Sequence, residues 1–400
     1  ASPVIHHFGK VGETEALERK RTLYLELGRQ KALEEPDSAP PHYEMGVQLI
    51  ELERFAESIP YLKRAYALDP INYGISLLLL GKAHHASGEM EKAGKVYEQC
   101  LKLNRDDPRV LFEVANFNRD IGQLKTARKL FMDVLRHDPK HVLAIYNLGG
   151  VYLKLGEEQT SFELFKKAAR LNPHNEAIFE QMGKLALTGF HSEEIAVLVE
   201  GFLERFPQSR TCPGLLAQIC FRLQQHERAI HWATRALDLE PHVVYRLIRA
   251  HARLSCGRLA EAEQDYLAVL EQEGVHLDSL MNLAAIAELR GDSVAAESRY
   301  HQVLEHYPKH ALALKKYGLL LGRQAPDQEA LKILERAHQA NAEDTELLLL
   351  LGFVYEKQGA IAEALELYHR AQERNPKLAR LAGQKIHRLE QTLGVEALVT

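Results

Sequence analysis

Several function classes can be set aside by what this sequence lacks. Four cysteines stand among 400 residues: Cys100, Cys212, Cys220 and Cys256, none in a CxxC pair. Cys212 and Cys220, eight residues apart on one predicted helix, would be about 12 Å apart, beyond disulfide reach. Four reduced thiols point to a cytoplasmic protein. No apolar run approaches the roughly 18 residues of a membrane span; the densest, Leu347 to Leu351, stops at Gly352. Neither charge dominates, with 50 Lys and Arg against 55 Asp and Glu and a net charge of −5, so nothing global suggests a nucleic-acid partner. Catalytic signatures are missing too: there is no GxSxG and no GxGxxG. The run from Gly74 to Gly81-Lys82 has six intervening residues where a phosphate loop has four, and Ala83 replaces its Ser or Thr. His226-Glu227 is followed by His231 one residue too late for a zinc-protease helix. His137 and His141, like His306 and His310, straddle a proline and so share no helix face. We therefore expect no metal, no cofactor and no catalysis from this chain by itself. It begins at Ala1 with neither a methionine nor a secretory leader, which reads as the C-terminal part of a longer protein.

What the sequence does have is a period. Length alone suggests two or three globular domains, but internal repeats override that prior. Pro139, Pro173, Pro207 and Pro241 are spaced by 34 residues each; Pro70 lies 69 before the first, Pro308 lies 67 after the last, and Pro376 lies 68 further on. Between these marks a small residue recurs near the start of each unit, with a large or aromatic one sixteen residues later. Examples are Gly46 and Leu62, Gly81 and Tyr97, Ala115 and Phe131, Gly149 and Phe165, Gly352 and Tyr368. Gly88, Gly122, Gly156, Gly257, Gly291 and Gly359 fall midway, where a left-handed residue would end a first helix.

This pattern resembles the tetratricopeptide repeat, from about Ala39 to Leu378. The resemblance implies an all-α fold: a right-handed solenoid of about ten helix-turn-helix repeats. Glycine or alanine at repeat positions 8 and 20 lets two antiparallel helices approach, the large residue at 24 fills the space beside them, and proline at 32 ends the second helix. The fourth repeat is the cleanest match, with Gly149, Tyr152, Ser161, Phe165, Ala168 and Pro173. The fifth departs most, with Ile195 and Val199 where small and aromatic residues belong. A charged amphipathic helix is predicted over 13–38, carrying Leu17, Tyr24, Leu27 and Ala32. Beyond 378, Ala382, Ile386, Leu389 and Leu393 continue an apolar stripe from Leu378, opposite Arg380, Gln384, Arg388 and Gln391, as expected of a capping helix over 379–400.

In this family the first helices line a concave face through positions 2, 5, 9, 12 and 13. Carried onto this sequence, that register gives Tyr43, Phe112 and Tyr146 as aromatic residues, and Lys82, Arg109, Asn116, Arg119, Lys154, Lys184 and Arg222 as polar ones. Across the second to sixth repeats it counts six basic residues against two acidic, Asp120 and Glu180. The expected partner is a protein or an acidic or extended peptide held in this groove; self-association is the rival. The Lys and Asn set of the chaperone-binding carboxylate clamp is missing, and an asparagine ladder is represented only by Asn147 and Asn282.

The first 45 residues carry a second resemblance. Val4-Ile5, His7-Phe8-Gly9, Lys20-Arg21, Leu25 to Leu33 and Pro36-Asp37 are similar to the junction in bacterial family-2 glycosyltransferases with repeat tails, where a catalytic domain ends in a strand and a basic helix leads to the first repeat. Lys10 departs from that pattern, which often has tyrosine there. The resemblance implies that 1–12 is the remnant of an upstream catalytic domain, with a strand over Pro3 to Phe8 and His7 (His6 second) as a metal ligand in the full-length parent. The solenoid would then be its acceptor-recognition arm.

Overall fold

Helix boundaries in the computed structural model follow from the punctuation just described. The structure describes residues 14–399 apart from Glu343 and Asn375, and side chains from 22 to 391 apart from 343 and 375–379. Among the described residues there are helices and turns and no strand. Residues 1–12, the strand expected over Pro3 to Phe8, and His6 and His7 lie outside them.

A leading helix α1 (Thr14–Glu34) precedes ten helix pairs. In the first compact unit, Ala1–Phe206, these are α2 (Ala39–Glu51) with α3 (Phe55–Leu68), α4 (Ile75–Ala86) with α5 (Met90–Leu103), α6 (Pro108–Asp120) with α7 (Leu124–His137), α8 (Val142–Lys154) with α9 (Glu158–Leu171), and α10 (Glu176–Ala186) with α11 (Ser192–Arg205). The second unit, Pro207–Thr400, holds α12 (Cys212–Arg222) with α13 (His226–Leu239), α14 (Val243–Ser255) with α15 (Leu259–Glu273), α16 (Leu277–Leu289) with α17 (Ser293–His306), α18 (Ala311–Gln324) with α19 (Gln328–Ala340), α20 (Thr345–Lys357) with α21 (Ile361–Arg374), and then α22 (Pro376–Val399). Within each unit every helix packs on the next in chain order, so each unit is an α-solenoid.

The expected close approach inside a repeat is present. A β-carbon added to Gly81 would stand 2.6 Å from Tyr97 Cε1, one on Gly352 2.8 Å from Tyr368 Cε1, and one on Gly46 2.6 Å from Leu62 Cδ2. Tyr97, Leu62 and Tyr368 are themselves at most 1% exposed, and burying each such side chain contributes about 1.5–3 kcal/mol. The prolines act one residue earlier than a simple helix-breaker would. The residue before each is forced out of the α region: Asp138 takes φ −132° and ψ 92° before Pro139, and Glu240 takes φ −150° and ψ 109° before Pro241. Pro376 instead opens α22, since the first turn of a helix needs no N–H there.

Most first helices end on a left-handed glycine, with φ near 80° at Gly88, Gly122 and Gly156. In the sixth repeat Gln224 takes that place at φ 60°. The ninth repeat needs no such residue, because Asp327 caps α19 directly by accepting the Glu329 and Ala330 N–H groups.

In four repeats an arginine on the second helix ties the repeat to the turn before it. Arg64 donates to the Pro36 carbonyl at 3.1 Å, Arg235 to Pro207 at 2.9 Å, Arg336 to Pro308 at 2.8 Å, and Arg370 to Ala342 at 3.2 Å. Each reach is 28 residues. At the C-terminal end, Ala382, Ile386 and Leu389 of α22 are buried while Arg380, Gln384, Arg388 and Gln391 are exposed, the division expected of a cap. Glu356, only 8% exposed at its side chain, anchors that helix: it pairs with Lys385 at 3.3 Å and with Arg388, and it accepts the Tyr368 hydroxyl at 2.8 Å.

Candidate functional site

The residues that the register selects stand on the first helices of successive repeats, all but Arg222 in the first unit. Tyr43 on α2 is half-buried, with its ring 5.3 Å from that of Tyr73. Burial raises its phenol above the ordinary value, Tyr73 adds to the shift, and the charge of Arg109 opposes it. The charge of Arg109 on the third repeat thus acts on Tyr43 of the first. Phe112 on α6 packs against His141 at 4.9 Å and Phe131 at 6.0 Å between centroids. Tyr146 on α8 lies 5.9 Å from Phe165; its phenol too is raised, first by burial, beside the Gln181 amide and within the fields of Glu180 and Arg119. Leu143, one turn earlier, is 51% exposed.

The cations are more committed than the register suggests. Lys82 Nζ stands 3.9 Å from Glu113. Arg109 makes a fork to Asp107, with Nη2 at 2.7 Å and Nε at 3.1 Å, and that aspartate also accepts the Arg109 N–H as the N-cap of α6. Arg119 donates to Asp120 at 2.8 Å, and the same carboxylate is 3.3 Å from His85 Nε2. Six basic against two acidic residues thus overstated the field of this wall, because Asp107 and Glu113 lie just outside the five positions counted. Lys154 and Lys184 are exposed and make no ion pair among the described residues. Arg222 is exposed on α12 of the second unit.

Neighbouring first helices are stitched by side chains 31 residues apart. Asn147 Nδ2 donates to Asn116 Oδ1 at 2.8 Å, and Asn282 Nδ2 lies 3.4 Å from His251 Nε2; Lys82 and Glu113 share that spacing. In the second unit His251 is packed between Phe221 at 6.1 Å and Tyr266 at 5.5 Å, and burial holds its pKa below the ordinary histidine value.

Two of the histidines in the i,i+4 pairs cap helices instead. His141 Nδ1 accepts the Ala144 N–H at 3.1 Å and His310 Nδ1 accepts that of Ala313 at 3.2 Å, each capping a first helix; His242 and His276 do the same. Among the described residues no group of three or more His, Cys, Asp or Glu is placed to hold a metal ion, and no helix is long and apolar enough to cross a membrane.

Family models described as tetratricopeptide repeat match residues 49–111 and 328–384, 119–176, and 214–243, together just over half of the chain. The chain is similar to tetratricopeptide repeat protein 21A of Mus musculus, at 26% identity over 67% of this chain and 22% of the relative. It is also similar to the TPR repeat-containing protein MJ1428 of Methanocaldococcus jannaschii, at 20% identity over 87% of this chain and 66% of the relative. It thus spans only part of the curated relatives it matches. The crystal structure of the C-terminal part of a TPR repeat-containing protein from Cytophaga hutchinsonii shares the fold, with a TM-score of 0.53 at 14% identity over 59% of this chain and 97% of that one. Proteins built on this repeat generally mediate protein–protein interactions. By its 34-residue period, its paired helices and these matches, the chain belongs to the tetratricopeptide repeat proteins.

Proposed function

We propose that this chain is a protein-interaction scaffold whose first unit holds a segment of a partner protein along its inner wall. The observation that carries this reading is a line of incompletely buried apolar side chains, Tyr43, Phe112, Leu143 and Tyr146, on first helices whose neighbouring charges are mostly paired internally. Such surface loses water favourably against a partner, while Lys154 and Lys184 keep charge to attract carboxylates and to steer association. Four cysteines with no disulfide among the described residues support a cytoplasmic setting. The test is a photo-crosslinking residue placed at Tyr146, with Lys129 on the outer helix α7 as control. Crosslinks to a partner from the Tyr146 position are expected; crosslinks from Lys129 alone would reject the inner wall, and crosslinks from Tyr146 to a second copy of the chain would favour self-association.

The sequence of residues 4–37 supports a second reading, in which the solenoid is the acceptor-recognition arm of a family-2 glycosyltransferase and His7 is a metal ligand of its upstream domain. The reading frame before Ala1 tests it. An Asp-x-Asp motif following an apolar strand supports it, and a different upstream domain ends it.

A further inference from the structure

We infer that α1 docks a second copy of this chain: two α1 helices pack antiparallel, Leu27 of each against Gly28 of the other, and form a twofold dimer. The surface is separate from the inner wall, and the inference does not depend on it.

By its geometry α1 is the second helix of a further repeat, and among the described residues no first helix precedes it. It ends at Glu34, two residues before Pro36, as α11 ends at Arg205 before Pro207 and α17 at His306 before Pro308. Arg64 reaches the Pro36 carbonyl over 28 residues, as Arg235 reaches Pro207 and Arg336 reaches Pro308. Ser58, Leu62 and Ala65 stand at repeat positions 20, 24 and 27. Counting 34 residues back from them gives Tyr24, Gly28 and Lys31. In the first four repeats every residue at these positions is at most 2% exposed. On α1 they are uncovered: Tyr24 is 51% exposed and the Lys31 side chain 50%. Leu23 and Leu27, both more than half exposed, widen the apolar face. Pro41, Glu44 and Gln48 of α2 line the other side of the cleft beside it.

The residues on this face select what covers it. In a complete repeat, positions 20, 24 and 27 run small, large, small, and the large residue fills the space beside a small one on the first helix. On α1 they run large, glycine, charged. Gly28 closes on α2, where an added β-carbon would stand 3.0 Å from Met45 Sδ. An ordinary first helix, small at position 8, would leave a void beside Gly28 and would meet Tyr24 where a small residue belongs. The matching helix carries a large residue opposite Gly28 and charges opposite to those of α1. A second α1 supplies both. With the twofold axis between residues 27 and 28 of an antiparallel pair, the sequence complements itself: Leu27 falls opposite Gly28, Tyr24 opposite Lys31, and Lys20 opposite Glu35. Each match occurs twice by symmetry. A leucine fills a glycine gap, a ring meets a cation, and an amine meets a carboxylate. A parallel pair would instead set Lys20 against Lys20 and Glu34 against Glu34. The exposed leucines and tyrosine supply the driving force as they lose water, and the charges set the direction.

Sedimentation velocity of the full chain over a range of concentrations tests this. The chain should pass from monomer to dimer as concentration rises. Leu27→Glu should raise the dimer dissociation constant about a hundredfold, since symmetry counts a tenfold effect twice. Lys20→Glu and Glu35→Lys should each weaken the dimer of like copies, and an equimolar mixture of the two variants should recover it. Glu35 is exposed, so its variant keeps the test decisive if the leucine change disturbs folding. A monomer at every concentration overturns the inference, whatever other protein the cleft then takes. A dimer indifferent to Leu27→Glu removes α1 from the interface. A dimer that Leu27→Glu breaks, but that the mixture of charge variants fails to restore, overturns the antiparallel register.

Discussion

A β-carbon built on Gly149 would stand 2.8 Å from Cε1 of Phe165, sixteen residues away on the facing helix, whereas one built on the next residue, Gly150, would meet nothing within 4 Å. Two adjacent glycines thus hold opposite positions in the packing. Gly149→Val should destabilise by about 1–3 kcal/mol, since Phe165 is fully buried and the added carbons overpack the repeat. Gly150→Ala should instead raise stability by about 0.5–1 kcal/mol, the ordinary gain of alanine within a helix. Urea midpoints of the two variants check this; equal shifts in one direction would refute the register.

Buried tyrosines at the equivalent position differ in what their hydroxyls reach. That of Tyr368 donates to Glu356, while those of Tyr97 and Tyr266 are buried without a partner among the described residues. Tyr368→Phe should cost about 1–3 kcal/mol because the acceptor is charged and buried, and Tyr97→Phe should be neutral or stabilise by up to ~1 kcal/mol. Thermal unfolding of both variants measures the contrast, and a larger loss for Tyr97→Phe would overturn it.

In the seventh repeat, Asp265 is 4% exposed and receives Arg249 at 2.7 Å and Arg253 at 2.6 Å. Asp265→Asn leaves two guanidinium groups short of their anion in a nearly dry site and should cost about 3–5 kcal/mol. Hydrogen exchange should show the loss first in α14 and α15. Unchanged protection there would mean the two arginines find other acceptors.

Acid should weaken the second unit. Burial first, and His276 second, keep the His251 pKa below the ordinary value of 6.5, with Asp278 pulling the other way; the rings of Phe221 and Tyr266 and the Asn282 amide complete its surroundings. The unfolded chain then binds the proton more readily than the folded one, so the stabilisation is complete above 6.5 and is lost as pH falls below it toward the folded-state value. His338, also lowered, first by burial and then by Arg370, acts in the same sense. His251→Gln should flatten the fall in melting temperature between about pH 7.5 and 5.5 without removing it. An unchanged slope would exonerate His251.

The repeats were legible because their punctuation is carried by residue types with special backbones: Pro139 and Gly156 mean much the same in any context. Packing partners such as Gly149 and Phe165 were legible through a fixed spacing. The wall was legible only in outline. Its register selected Lys82 and Arg109 but passed over Glu113 and Asp107, since one carboxylate stands at a helix position the register does not number and the other is a cap. Tyr73 lies in a turn that the register does not number. The arginine ties to the carbonyls of Pro36 and Pro308 left no trace in sequence, because a carbonyl acceptor has no side-chain identity.

Those ties also govern how the chain can change its length. Arg235 finds the Pro207 carbonyl only because 28 residues separate them, and Arg64, Arg336 and Arg370 keep the same count. One residue gained or lost within that interval takes the guanidinium off its acceptor and rotates the helix that bears it by about 100°. A whole 34-residue unit can be added or removed between ties with every reach preserved. The chain is thus free to lengthen or shorten in steps of a repeat, and is resistant to any smaller change inside one.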